Sequence, residues 1–128
     1  MMKIHSINPV FAVADIGATI RWYEQELGFT GDPFPSHEPY VFGILRRDDI
    51  EIMLQRVADY QKPDLYDLRN GGGVWDAYLR ITGLQQLYDR VKDRLELKKP
   101  LRRQPYGLSE FEVKDVNGYI LVFSELID

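Results

Sequence analysis

The chain has 128 residues, a net charge of −4 at pH 7 and no cysteine. Such a length suits one domain, or two small halves sharing a core, and lets about two-thirds of the unfolded surface be buried. The absence of cysteine excludes disulfides, thiolate metal sites and a thiol nucleophile, and the acidic balance argues against a nucleic-acid partner, whose phosphates call for a basic stripe.

No stretch approaches the length of a membrane span, and Met1 to Ile7, with the lone Lys3, does not resemble a signal peptide. The expectation is a cytoplasmic protein with no membrane partner.

Ile4 to Val13 reads as a strand with Ile7, Pro9, Phe11 and Val13 on one face and Asn8, Val10 and Ala12 on the other. Pro9 lacks an N–H, which confines this strand to an edge or to a position needing no ladder bond. Asp15 is a good N-cap. Ile16, Ile20, Tyr23 and Leu27 then share a helical face, and Gly28 stands where a glycine ends a helix. Phe29 to Pro39, broken by Gly31, Pro33, Pro35 and Pro39, reads as a short strand and a loop. Tyr40 to Arg46 alternates as a strand, Asp48-Asp49 turns the chain, and Ile50 to Arg56 returns with Glu51, Met53 and Gln55 on one face.

Val57 to Gly73 is irregular, with Pro63 and three consecutive glycines, and reads as a linker with a helical turn around Leu65 to Leu68. Val74 to Ile81 is a strand. Leu84, Leu87, Tyr88, Val91 and Leu95 form a helical stripe. Leu97 to Arg103, carrying Lys98, Lys99, Arg102 and Arg103, reads as a solvated edge strand. Phe111 to Leu126 reads as a β-hairpin turning at Asn117-Gly118, a pair that tolerates positive φ.

The order strand, helix, strand, strand, strand thus occurs twice. The expected fold is α+β: two paired βαβββ modules, approximately residues 3–56 and 74–126, joined by linker 57–73 within a single domain 1–128. Each module alone leaves one sheet face bare, so the two are expected to pair into a curved, cleft-bearing sheet with the helices outside.

FAVADIGATIRWYEQELGF and the closing KDVNGYILVFSE resemble the opening and the terminal hairpin of the vicinal-oxygen-chelate superfamily, with Val116 replacing the usual proline. That group contains glyoxalase I, extradiol dioxygenases, fosfomycin-resistance enzymes and bleomycin-resistance proteins. The resemblance implies a divalent ion held by His and Glu on the first and last strands of each module. Carried over position by position, those ligands fall on Asn8, on Glu51 or Met53, on Asp76 and on Val122. His5 alternates to the opposite face and His37 lies in the proline-rich loop. Two carboxylates and no imidazole suit a catalytic transition metal poorly. No metal, cofactor or catalytic residue is therefore expected.

The departure from the enzyme pattern resembles the bleomycin-resistance branch, which binds its ligand without chemistry and is dimeric, with a tryptophan near the cleft as in WDAYLRI. Strand alternation adds cleft-facing candidates. The expected ligand-binding set is Asn8, Tyr40, Phe42, Glu51, Trp75, Asp76, Tyr78, Glu110 and Glu112, an aromatic surface edged by carboxylates that suits a cationic or aromatic small molecule. The expected function is metal-independent sequestration at a homodimer interface, with antibiotic resistance as its setting. The alternative is a metal-dependent lyase or dioxygenase-like enzyme built on Glu51, Asp76 and Glu112. Whether modules pair within one chain or between chains, and which natural ligand they hold, stays open at this stage.

Overall fold

Asp15 starts the first helix as its chemistry dictates: its Oδ1 accepts the Ala18 N–H at 2.9 Å, and Gly28 closes the helix at φ 70 with its N–H on Glu24 O. In the computed structural model, which describes residues 1–126, this helix belongs to one of two compact units, Met1–Lys62 and Pro63–Asp128. Positions 127 and 128 of the expected domain lie outside the described residues.

The first unit contains β1 (Val10–Val13), α1 (Ile16–Leu27), β2 (Thr30–Phe34), β3 (Phe42–Arg47) and β4 (Ile50–Arg56). The sheet order is β1-β4-β3-β2, with β1 parallel to β4 and the other pairs antiparallel. Ile16, Ile20, Tyr23 and Leu27 of α1 are buried. Ile20 needs Gly31 beneath it, since a Cβ there would lie 2.4 Å from Ile20 Cγ2. The first strand is shorter than its pattern: it starts at Val10, not Ile4. Pro9 offers a carbonyl, which accepts the Met53 N–H at 2.9 Å, but no N–H to carry the ladder further, and Ile4 and Ile7 are left exposed.

The second unit contains a 3₁₀ turn at Tyr66–Leu68, then β5 (Ala77–Arg80), α2 (Leu84–Val91), β6 (Glu96–Arg103), β7 (Leu108–Lys114) and β8 (Ile120–Leu126). Its sheet order is β5-β8-β7-β6, again with a single parallel pair, β5 to β8. The two modules therefore share one βαβββ plan, and the fold is α+β with two four-stranded mixed sheets and two helices. Gly83, the N-cap of α2, has no side chain to cap with; Glu125 on β8 substitutes, its Oε1 accepting the N–H groups of Gly83 and Leu84 at 3.2 and 2.9 Å. The helix ends at Val91, short of Leu95, whose N–H still bonds Val91 O before the chain enters β6.

The hairpin joining β7 and β8 corrects the Asn-Gly expectation. Gly118 N–H bonds Asp115 O at 3.1 Å, so the turn runs from Asp115 to Gly118 and the left-handed position is Gly118, at φ 97. Asp115 decides this. Its Oδ1 accepts both the Asn117 and the Tyr119 N–H at 2.8 Å, which organises a longer loop than the dipeptide alone calls for. Among the described residues no helix is long and apolar enough to cross a membrane.

Candidate ligand site

Strand alternation sorts β7 into two faces. Phe111 and Val113 are buried on the α2 side, where the Tyr88 ring lies 5.1 Å from that of Phe111. Glu110 and Glu112 therefore point to the opposite face, yet both are 0 % exposed. Buried carboxylates need donors, and the second unit supplies them from four directions. Tyr66, in the 3₁₀ turn, donates its hydroxyl to Glu112 Oε1 at 2.5 Å, and Arg102 on β6 donates to Glu112 Oε2 at 2.9 Å. Tyr78 on β5 and Tyr106 in the β6–β7 turn both donate to Glu110 Oε2, at 2.5 and 2.7 Å. Burial of the hydroxyl, then the bond to Glu110, pushes the Tyr106 phenol up to about 12. Burial, and then their own carboxylates, raise Tyr66 and Tyr78 above the ordinary phenol value as well. All three hydroxyls thus remain donors at neutral pH.

Above these pairs lies a cavity of about 460 Å³, a size that suits a small organic molecule. Its aromatic wall is Trp75, Tyr78 and Tyr106. Trp75 and Tyr78 lie with ring centroids 5.6 Å apart at 34°, forming a shelf. Arg69 also lines it, its guanidinium carbon 5.3 Å from the Trp75 ring and one N–H on Gly73 O at 3.1 Å. Trp75 Nε1 is buried with no hydrogen-bond partner, and so is Glu110 Oε1. The charged lining side chains are Arg69, Arg80, Lys99 and Arg102 against Glu112. This inverts the expected acidic edge. Glu110 and Glu112 are fully buried against their donors, while Arg69, Arg80, Lys99 and Arg102 line the cavity.

Lys99 and Arg102 reach the same cavity because β6 is irregular. Its pairing with β7 shifts register between Leu97 and Lys99 and again between Lys99 and Arg102, around Pro100. In a regular strand residues spaced this way point to opposite faces; the bulge brings both to one. The edge strand is therefore not simply solvated: Lys98 Nζ sits 4.6 Å from the centre of the Tyr66 ring, and Arg102 turns in to Glu112.

Of the residues expected from sequence, Trp75, Tyr78 and Glu112 line this cavity and Glu110 lies behind two lining tyrosines. Asp76 has a second engagement, its Oδ2 accepting the Ile120 N–H at 2.8 Å and pinning the start of β5 to β8. Asn8, Tyr40, Phe42 and Glu51 belong to the first unit. Asn8 is half-buried just before β1, Tyr40 approaches Gly17 of α1, Phe42 packs against Phe34 at 6.0 Å, and Glu51 accepts from Arg46 Nε at 2.7 Å. Among the described residues, no group of three His, Asp or Glu side chains is arranged to hold a metal ion. Sequence reading missed Arg69, Lys99, Arg102 and Tyr106; the one signal that pointed to two of them was Pro100 inside a strand-like run, which marks a bulge.

No family model and no curated protein matches the chain. Solved structures do. A glyoxalase-related enzyme from Clostridium phytofermentans matches with a TM-score of 0.76 at 19% identity, covering 98% of both chains. TioX from Micromonospora sp. ML1 matches with a TM-score of 0.75 at 17% identity, over 96% of this chain and 99% of that one. The bleomycin-binding protein from Streptomyces verticillus, solved with copper(II)-bleomycin, matches with a TM-score of 0.67 at 21% identity, over 96% and 97% of the two chains. The fold is that of the vicinal-oxygen-chelate superfamily. At such identities the likeness extends to architecture, and one architecture hosts several chemistries.

Proposed function

We propose that the protein binds a planar aromatic small molecule stoichiometrically, without turnover, in the cavity of its second unit. The observation that carries this reading is the Trp75–Tyr78 shelf lining a cavity of about 460 Å³. Aromatic faces hold flat ligands by stacking. The bleomycin-binding neighbour supports small-molecule binding as a use of this fold.

The binding is proposed to be metal-independent. In the alternative enzyme reading Glu51, Asp76 and Glu112 would hold the ion, but Glu51 is committed to Arg46, Asp76 to the Ile120 N–H, and Glu112 to Tyr66 and Arg102. The expected second copy in a homodimer is supported by Ile4, Ile7 and Val10, large apolar side chains left exposed on the first unit.

The test is calorimetric titration of chelator-treated protein with a panel of planar aromatic compounds, repeated with nickel, zinc or manganese added. A ligand present at a hundredfold its dissociation constant is expected to stabilise the fold by about 2.7 kcal/mol. Binding should be the same with and without metal and should be lost in Trp75→Ala. Binding that survives Trp75→Ala, or that appears only with metal, overturns the reading.

A further inference from the structure

The cavity's charges are not balanced from within. Glu112 is the one carboxylate in the lining, and it is already matched by Arg102 and the Tyr66 hydroxyl. Glu110 accepts the Tyr78 and Tyr106 hydroxyls from behind. Arg69 stacks on Trp75 and gives one N–H to a backbone carbonyl. Arg80 and Lys99 line the same space, and among the described residues neither is ion-paired with a carboxylate. Three cations facing one concavity repel each other. They are stabilised by an anion placed among them, and a concave site with low-dielectric walls strengthens that attraction.

We infer that the ligand is an anionic aromatic molecule: its ring lies on the Trp75–Tyr78 shelf and its acidic group, a carboxylate, sulfonate or phosphate, is held by Arg69, Arg80 and Lys99. This rests on the aromatic-binding reading above and adds the charge class. It reverses the cationic ligand expected from sequence, because Glu110 and Glu112, the two carboxylates at this cavity, are fully buried and already accept from tyrosine hydroxyls and Arg102, while Arg69, Arg80 and Lys99 line the space. A cationic ligand meets three uncompensated like charges there and gains no free carboxylate at the surface.

The experiment compares 2-naphthoate, 2-naphthamide and (2-naphthyl)methylammonium, which share a ring system and differ in charge, by calorimetry on the full chain at low and high salt. Naphthoate is expected to bind about tenfold more tightly than the amide, the difference between a charge-assisted and a neutral hydrogen bond, with the ammonium weakest. Added salt should narrow the gap. The double variant Arg80→Gln, Lys99→Gln should close most of the gap between naphthoate and the amide, and a circular-dichroism spectrum matching the parent separates lost charge recognition from lost folding. Equal affinities, or tightest binding of the ammonium, overturn the charge assignment and leave aromatic binding standing. No binding of any of the three overturns the aromatic reading itself, and the charge class with it.

Discussion

Tyr66 and Glu112 stand 46 positions apart in the chain, and the Tyr66 hydroxyl donates to Glu112 Oε1 at 2.5 Å. The bond ties a 3₁₀ turn in a glycine-rich connecting segment to a central strand of the sheet. It turns that segment into a wall of the second unit: Arg69, Gly71 and Gly72 line the cavity because Tyr66 is anchored just before them.

Tyr66→Phe removes the donor and leaves a buried carboxylate oxygen unsatisfied. The expected loss is about 1–3 kcal/mol of stability, read as a lower denaturation midpoint at unchanged slope. A second readout is faster hydrogen exchange across residues 66–73, because the segment loses its anchor. A variant as stable as the parent would show that the bond contributes nothing.

Arg102→Met leaves Glu112 without its countercharge. Glu112 is fully buried whereas the Arg102 side chain is 27% exposed, so a cost of about 3 kcal/mol is expected, at the lower end for breaking a buried pair. Adding Glu112→Gln should recover much of it, since no uncompensated charge then remains. A double-mutant cycle with no coupling would contradict the pairing.

High pH should unfold the protein through its tyrosines. The Tyr106 ring is partly exposed, but its hydroxyl turns onto buried Glu110 and its folded value rises to about 12. An unfolded phenol ionises near pH ~10. Between those values the folded state holds the proton that the unfolded state releases, so this contribution is complete below about pH 10 and is lost as pH rises towards 12. Tyr78 and Tyr66 shift in the same direction and add to the slope. Denaturation curves collected across this range should show stability falling with pH, and less steeply in Tyr106→Phe.

Asp115→Ala removes the acceptor for two backbone N–H groups in the β7–β8 turn. The expected cost is about 1–3 kcal/mol, while Asp115→Asn, which keeps an acceptor oxygen, should cost less. If the turn were the Asn-Gly dipeptide acting alone, the two variants would behave alike.

Much of this architecture was legible in the chain because it rests on local periodicity. The α1 stripe with its cap and closing glycine, the alternation of β3, β4 and β7, and the doubled strand–helix–strand–strand–strand order all follow from side chains a few positions apart. Alternation on β7 was enough to set Glu110 and Glu112 on the face away from α2, and alternation on β5 to place Tyr78 among the candidates for the ligand surface.

What only the tertiary structure decided depends on residues far apart in sequence. Two register shifts around Pro100 bring Lys99 and Arg102 to one side of β6, a departure from period-two alternation that pattern reading assigns to opposite faces. Burial of Glu110 and Glu112 depends on Tyr66, Tyr78, Tyr106 and Arg102 arriving from other elements. The sign of charge at the opening therefore could not be read from the acids themselves. A carboxylate looks the same in sequence whether it faces a ligand or lies beneath its own donors, and the difference is made by which partners the fold carries to it.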